Sequence, residues 1–140
     1  MKAPIDAERY RFYGVQPVLE VADVEATTSW YCEILGFTLD FVDMARGGHA
    51  RVSIGGGGGK SVQRMRFTSY RRRHGTEPTT AGYTYIHCVL IDELFAEYRR
   101  RGVTIRPEFE DGPVKKPWGL REFEIEDCNG HILLFAQEGG

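Results

Sequence analysis

Long apolar runs are missing from this chain. None approaches the roughly 18–20 residues that a helix needs to cross a bilayer, which excludes a membrane-spanning helix. The opening segment, MKAPIDAERY, has no apolar stretch of the secretory type, so the expectation is a cytoplasmic protein with no membrane partner. Cysteine is scarce. Cys32, Cys88 and Cys128 are odd in number and far apart, which makes no disulfide framework, and no Cys-x-x-Cys pair offers structural zinc. Acid is absent from one long stretch. Residues 44–76 hold no Asp or Glu but carry Arg46, Arg51, Lys60, Arg64, Arg66, Arg71, Arg72 and Arg73, so the rest of the chain sums to −10 against an overall −2. A net negative charge argues against a nucleic-acid partner. The basic stretch admits three readings: a solvated face and loop, a complement to the acidic C-terminal half within the chain or a dimer, or a site for an anionic ligand or nucleic acid, the last opposed by the overall charge and by the shortness of Arg71–Arg73.

What is present is the composition of one folded domain: 140 residues, 41% hydrophobic and 27% charged. Residues 15–21 (VQPVLEV) read as a strand. Asp23 follows as an N-cap, apolar residues then recur at helical spacing, and Gly36 closes the helix. Strands are expected over 37–42, 50–54 and 61–70. The pattern then restarts with a strand over 83–91, Asp92 as N-cap, a helix closed by Gly102, and strands over 103–106, 120–126 and 131–137. Aligning Asp23 with Asp92 superposes PVLEVAD on IHCVLID, and Gly36 on Gly102. The expected class is α+β, with two tandem βαβββ modules whose sheets form a curved surface around a cleft. The expected division is an arm over 1–14 and one domain over 15–137, with modules over about 15–70 and 83–137. Tyr31, Phe37, Phe95, Tyr98 and Phe135 are expected in the core.

This duplicated module, with WYCEILGF in its first half and REFEIEDCNGHILLF in its second, resembles the vicinal-oxygen-chelate superfamily of glyoxalases, dioxygenases and bleomycin-resistance proteins. The segment PWGLREFEIEDCNGHILLF is most similar to the bleomycin-resistance branch, with Cys128 in place of the branch's usual Pro. The resemblance implies a homodimer holding a small molecule between its subunits. It also implies where a metal would sit: seven residues before each capping Asp, about seven after the Asp of the D-x-x-G turn, and on the matching strand of the first half. Those positions read Gln16, Tyr85, Leu134 and, for the last, a residue near Val52. Leucine and valine offer no donor, and a phenol must ionise to bind a cation. The reading is therefore a metal-independent protein that sequesters an aromatic or amphipathic, antibiotic-like ligand, with no catalytic residue, no metal and no cofactor. Its expected ligand contacts are Gln16, Glu20, Phe41, Tyr85, His87 and Trp118. The alternative is a metal-dependent lyase, isomerase or dioxygenase with a displaced site built from His87, Glu20 and Glu122 or Glu124.

Two other motifs carry less. IGGGGGKS at 54–61 approximates a phosphate-binding loop, but its first position is Ile54 and a strand pattern follows where a helix is required. Cys32 has no spacing to a His that would mark a thiol nucleophile. Trp118 stands apart from the core aromatics: in a Pro/Gly loop before a strand, its indole offers a flat apolar face to a planar ligand.

Overall fold

In the computed structural model the residues described are 3–45, 48–57, 61–73, 75–77 and 81–139. Part of the glycine-rich loop and two bases of the 44–76 stretch, Arg46 and Lys60, lie outside the described residues, as do the side chains of Arg72 and Arg73.

The first half runs from strand β1 (Val18–Val21) to helix α2 (Val24–Trp30), a π-helical turn (Tyr31–Leu35), and strands β2 (Thr38–Asp43), β3 (His49–Gly55) and β4 (Val62–Ser69). A short helix α1 (Ala7–Tyr10) precedes it and α3 (Tyr70–Arg73) follows. The second half holds β5 (Tyr83–His87), α4 (Ile91–Arg100), β6 (Thr104–Ile105), β7 (Val114–Lys115), β8 (Leu120–Glu126) and β9 (Ile132–Glu138). The two sheets repeat one order, β1-β4-β3-β2 and β5-β9-β8-β6, with β7 also on β8. In each, the first strand lies parallel to the last, and the other pairs are antiparallel. The α+β class and the tandem βαβββ arrangement expected from the sequence are what the chain adopts.

Local chemistry explains most boundaries. Asp23 caps α2, its Oδ1 accepting from the Ala26 amide at 2.9 Å. Thr27 and Thr28 face the core and return their hydroxyls to the carbonyls of Asp23 and Val24. Gly36 ends the π-helical turn at φ +86°, a conformation that costs glycine nothing. Asp92 is a correction. It lies inside the first turn of α4 and pairs with Arg121. The helix is instead started by Leu90, in a left-handed conformation, and the Ile91 amide donates to Gln137 Oε1 of β9 at 2.9 Å. The first strand is also shorter than expected, starting at Val18 after Pro17.

One continuous core serves both halves. Leu19, Val21, Ala50, Val52, Met65 and Phe67 cover α2, while Phe123, Ile125, Leu133 and Phe135 meet Ile91, Phe95 and Tyr98. Each large side chain so buried contributes roughly 1.5–3 kcal/mol. Polar ties cross the seam. Tyr31 Oη donates to Asp127 Oδ2 at 2.6 Å, and Tyr98 Oη donates to the Leu35 carbonyl at 3.0 Å. Burial first, then Asp127, pushes the Tyr31 hydroxyl well above the ordinary phenol range. His131 joins the two first strands. Its Nδ1 accepts from the Gly82 amide just before β5, so Nε2 carries the proton that points to the Glu20 carbonyl of β1, 3.0 Å away.

Candidate functional site

Both β1 and β5 are edge strands, and residues 10–17 ahead of β1 share a hollow with residues 84–87 of β5. A cavity of about 760 Å³ lies there. Tyr10 and Tyr13 of the N-terminal segment form one wall, Gln16 and Arg64 a second, and Tyr85 and His87 a third. Of the expected contact residues, this cavity gathers Gln16, Tyr85 and His87. It does not gather Glu20, Phe41 or Trp118.

Gln16 is held by sheet 1. Its Oε1 accepts from Arg66 Nε at 2.7 Å, and Arg66 Nη1 lies 3.1 Å from His49 Nε2. A guanidinium only donates, so that His49 nitrogen accepts. Phe41, on β2, sits in the same group. The Arg51 and Arg66 guanidiniums lie 5.4 and 5.6 Å from its ring centroid, and the His49 ring stacks on it at 5.9 Å. A bulge between Leu39 and Phe41 accompanies Asp40, which receives Arg51 Nε at 3.0 Å and Ser53 Oγ at 2.9 Å. The open face of sheet 1 is thus built on arginine. Glu20 is half-buried on β1 beside Thr68.

Sheet 2 presents the opposite chemistry. The alternation of LREFEIE puts Phe123 and Ile125 in the core and Glu122, Glu124 and Glu126 on the other face. Glu122 is only 1% exposed. Its Oε2 accepts from Trp118 Nε1 at 2.6 Å and also from the Tyr85 hydroxyl. Tyr83 Oη donates to Glu124 Oε2 at 2.7 Å. Glu126 pairs with Arg106 at 2.5 Å. The rings themselves remain open, Trp118 at 62% and Tyr85 at 40% exposure. Loss of water around its inner side and then the bond to Glu122 push the Tyr85 hydroxyl up to about 12. Loss of water and then its own bond to Glu124 drive Tyr83 upward as well. The His87 ring sits 5.1 Å from that of Tyr85 and is exposed. Trp118 and Tyr85 therefore do come together, through a carboxylate rather than by shared lining of the cavity.

The hub at Glu122 and the cavity wall made by Arg64 were not among the expected contacts. A sequence signal existed for the first, since the E-x-E-x-E alternation sets the acids on one face. Nothing local announced that Trp118 and Tyr85 would both turn onto the same oxygen.

No thiol in the chain is set up for nucleophilic work. Burial first, then neighbouring acids, pushes the Cys32 thiol up, and burial raises that of Cys88. Burial and the Asp127 charge push Cys128 up to about 11. Each thiol is held in its protonated, unreactive form near neutrality.

The model of one family, the Glyoxalase/Bleomycin resistance protein/Dioxygenase superfamily, matches residues 15–135. Among solved structures, the chain is similar to the bleomycin-binding protein of Streptomyces verticillus complexed with copper(II)-bleomycin. The two are 28% identical with a TM-score of 0.63, over 92% of this chain and 97% of that one. TioX from Micromonospora sp. ML1 is 23% identical at a TM-score of 0.63, over 89% and 99% of the two chains. A lactoylglutathione lyase from Agrobacterium tumefaciens is 11% identical at a TM-score of 0.66, over 89% and 92%. The last two similarities speak to the fold alone. No curated protein matches the chain.

The four metal positions implied by the resemblance can now be judged on side chains. Tyr85 pairs in register with Leu134, and His87 with Ala136. In the first half Val18, the counterpart of His87, pairs with Arg66. The counterpart of Leu134 is therefore Arg64, not a residue near Val52, which lies on β3 and is fully buried in the core. The set is then an amide oxygen already bonded to Arg66, a phenol bonded to Glu122, a buried leucine and a guanidinium. It does not fit a divalent cation. The displaced alternative gathers no cluster either: among the described residues, no three His, Cys, Asp or Glu side chains come together as a metal site.

Proposed function

Because the chain belongs to the Glyoxalase/Bleomycin resistance protein/Dioxygenase superfamily, we propose that it is a small-molecule binding protein that sequesters an aromatic, antibiotic-like ligand without a metal of its own and without chemical change. One observation carries the reading. The scaffold keeps a cavity of about 760 Å³ at the junction of its edge strands, while the family's metal positions hold Gln16, Arg64, Tyr85 and Leu134, which fit no cation. Gln16 and His87 supply polar contacts at the cavity wall, and Tyr85, Trp118 and Phe41 supply rings. Glu20, whose carbonyl is tied to His131, belongs to the seam beside them. The 28% identity to a protein solved with copper(II)-bleomycin supports an aromatic drug as the class of ligand.

The functional unit is a homodimer in this reading. Tyr10, Phe12, Tyr13 and Val15 of the N-terminal segment are all exposed by 60% or more, an apolar cluster that a second copy would cover. The opposite charges of the two open sheet faces suit the same pairing.

Thermal unfolding with bleomycin and with a panel of planar antibiotics tests the proposal. A ligand at a hundredfold excess over Kd stabilises the fold by about 2.7 kcal/mol, which appears as a clear rise in Tm. A flat Tm across the whole panel overturns it. So does stoichiometric divalent metal in protein purified without chelators, if that metal is lost on His87→Ala.

A further inference from the structure

We propose that the open aromatic wall of sheet 2, formed by Tyr83, Tyr85 and Trp118, selects a planar organic cation. The proposal rests on the small-molecule reading above and adds the sign of the ligand's charge.

All three rings share one feature. Each is exposed, and each gives its polar hydrogen to a carboxylate: Tyr83 to Glu124, and Tyr85 and Trp118 to Glu122. A ring face already carries negative charge density. Donation of its O–H or N–H to an anion polarises the ring further in the same direction. A wall of such rings attracts cations and repels anions.

The carboxylates add their own field. Glu122 is buried, and both of its partners are neutral donors. Among the described residues, no salt bridge joins a base to Glu122 or Glu124, whereas Glu126 on the same strand is paired with Arg106. The Lys116 ammonium lies close enough to feel both carboxylates, but it is paired with Glu108, so the acids behind the rings keep an excess of negative charge that favours a further cation approaching them. Lys116 shows the preference within the chain. Its ammonium pairs with Glu108 and still lies 5.9 Å from the Trp118 ring centroid. Sheet 1 supplies the contrast, because two guanidiniums flank Phe41, whereas a single ammonium stands beside Trp118 and, among the described residues, none lies over Tyr83 or Tyr85.

The test uses two fluorescent probes with the same tricyclic ring, an aminoacridine cation and an acridine carboxylate anion, titrated with the full chain. The wild type is expected to bind the cation about tenfold or more tightly than the anion. Glu122→Gln keeps an acceptor for both donors and removes the charge, and should bring the two affinities within about threefold. Should that variant fail to fold, Glu124→Gln, at a partly exposed position, should weaken the cation severalfold and leave the anion unchanged. Equal affinity of the two probes for the wild type overturns the proposal. So does a cation preference that neither variant reduces. Loss of cation binding as protein concentration rises gives the wall to a second copy and overturns it too. If drugs raise Tm but the probes are not discriminated, the charge inference alone falls. If neither drugs nor probes bind, the sequestration reading falls with it.

Discussion

The two sheets of this protein share one strand order and carry opposite chemistry on their open faces. Arg51 on β3 pairs in register with Arg66, and the corresponding residues of the second half are Glu122 and Ala136. One position in the repeated module is thus a surface guanidinium in one half and a buried carboxylate in the other. On the core side the halves agree, with Val52, Met65 and Phe67 in one and Phe123, Ile125 and Phe135 in the other. Packing constrains the inward face of a strand, because volume and polarity there are paid for in stability. The outward face is free to diverge. A duplicated fold can therefore keep its scaffold and turn one half into an arginine face and the other into an acid-backed aromatic wall.

The comparison breaks most easily in the core. Phe67 and Phe123 are both fully buried, one in each half. Truncating either to Ala should cost about 3–5 kcal/mol, read from urea denaturation. Because the core is one cluster, each variant should still unfold in a single transition seen identically by fluorescence and circular dichroism. Two transitions would mean that the halves fold separately and that the shared core has been misjudged.

Next in size is the seam. A Cβ added at Gly82 would stand 2.6 Å from Leu19 Cδ2 and 3.1 Å from His131 Nδ1. Leu19 is itself in the core and His131 is bonded on both ring nitrogens, so neither yields freely. Gly82→Ala should destabilise by about 1–3 kcal/mol. A stability within error of the wild type would show that the two edge strands are not clamped at this crossing.

Much of the scaffold was legible because its signals are local. Asp23 and the Thr27–Thr28 pair decide a helix start within four residues, and Gly36 decides its end. The tandem repeat was legible because order and spacing survive where identity does not. Asp92 was misread because the start of α4 is settled by Gln137, 46 residues away on β9. The fourth metal position was misplaced for a related reason: whether Val52 or Arg64 corresponds to Leu134 depends on strand register, which no single segment encodes. Trp118 stood out as an odd aromatic in a Pro/Gly loop, but its partnership with Tyr85 depends on a buried carboxylate that Trp118 reaches from the turn between β7 and β8 and Tyr85 from β5.

The smallest effect isolates the sheet 2 wall. The Tyr85 hydroxyl is held up to about 12 by loss of water and by the bond to Glu122, against an ordinary 10. The folded value lies above the unfolded one, so the bond contributes in full below pH 10 and is lost as pH rises from 10 through 12. Its counterpart in the first half, Gln16, has no proton to lose. Tyr85→Phe should cost under about 1 kcal/mol at neutral pH, because the phenol is partly exposed and its bond is screened. Urea denaturation across the alkaline range should show the variant losing stability less steeply than the wild type between pH 10 and 12. Parallel slopes would mean that the phenol ionises as it does in water, and the asymmetry between the two faces would then lose the carboxylate-anchored ring on which its acidic side depends.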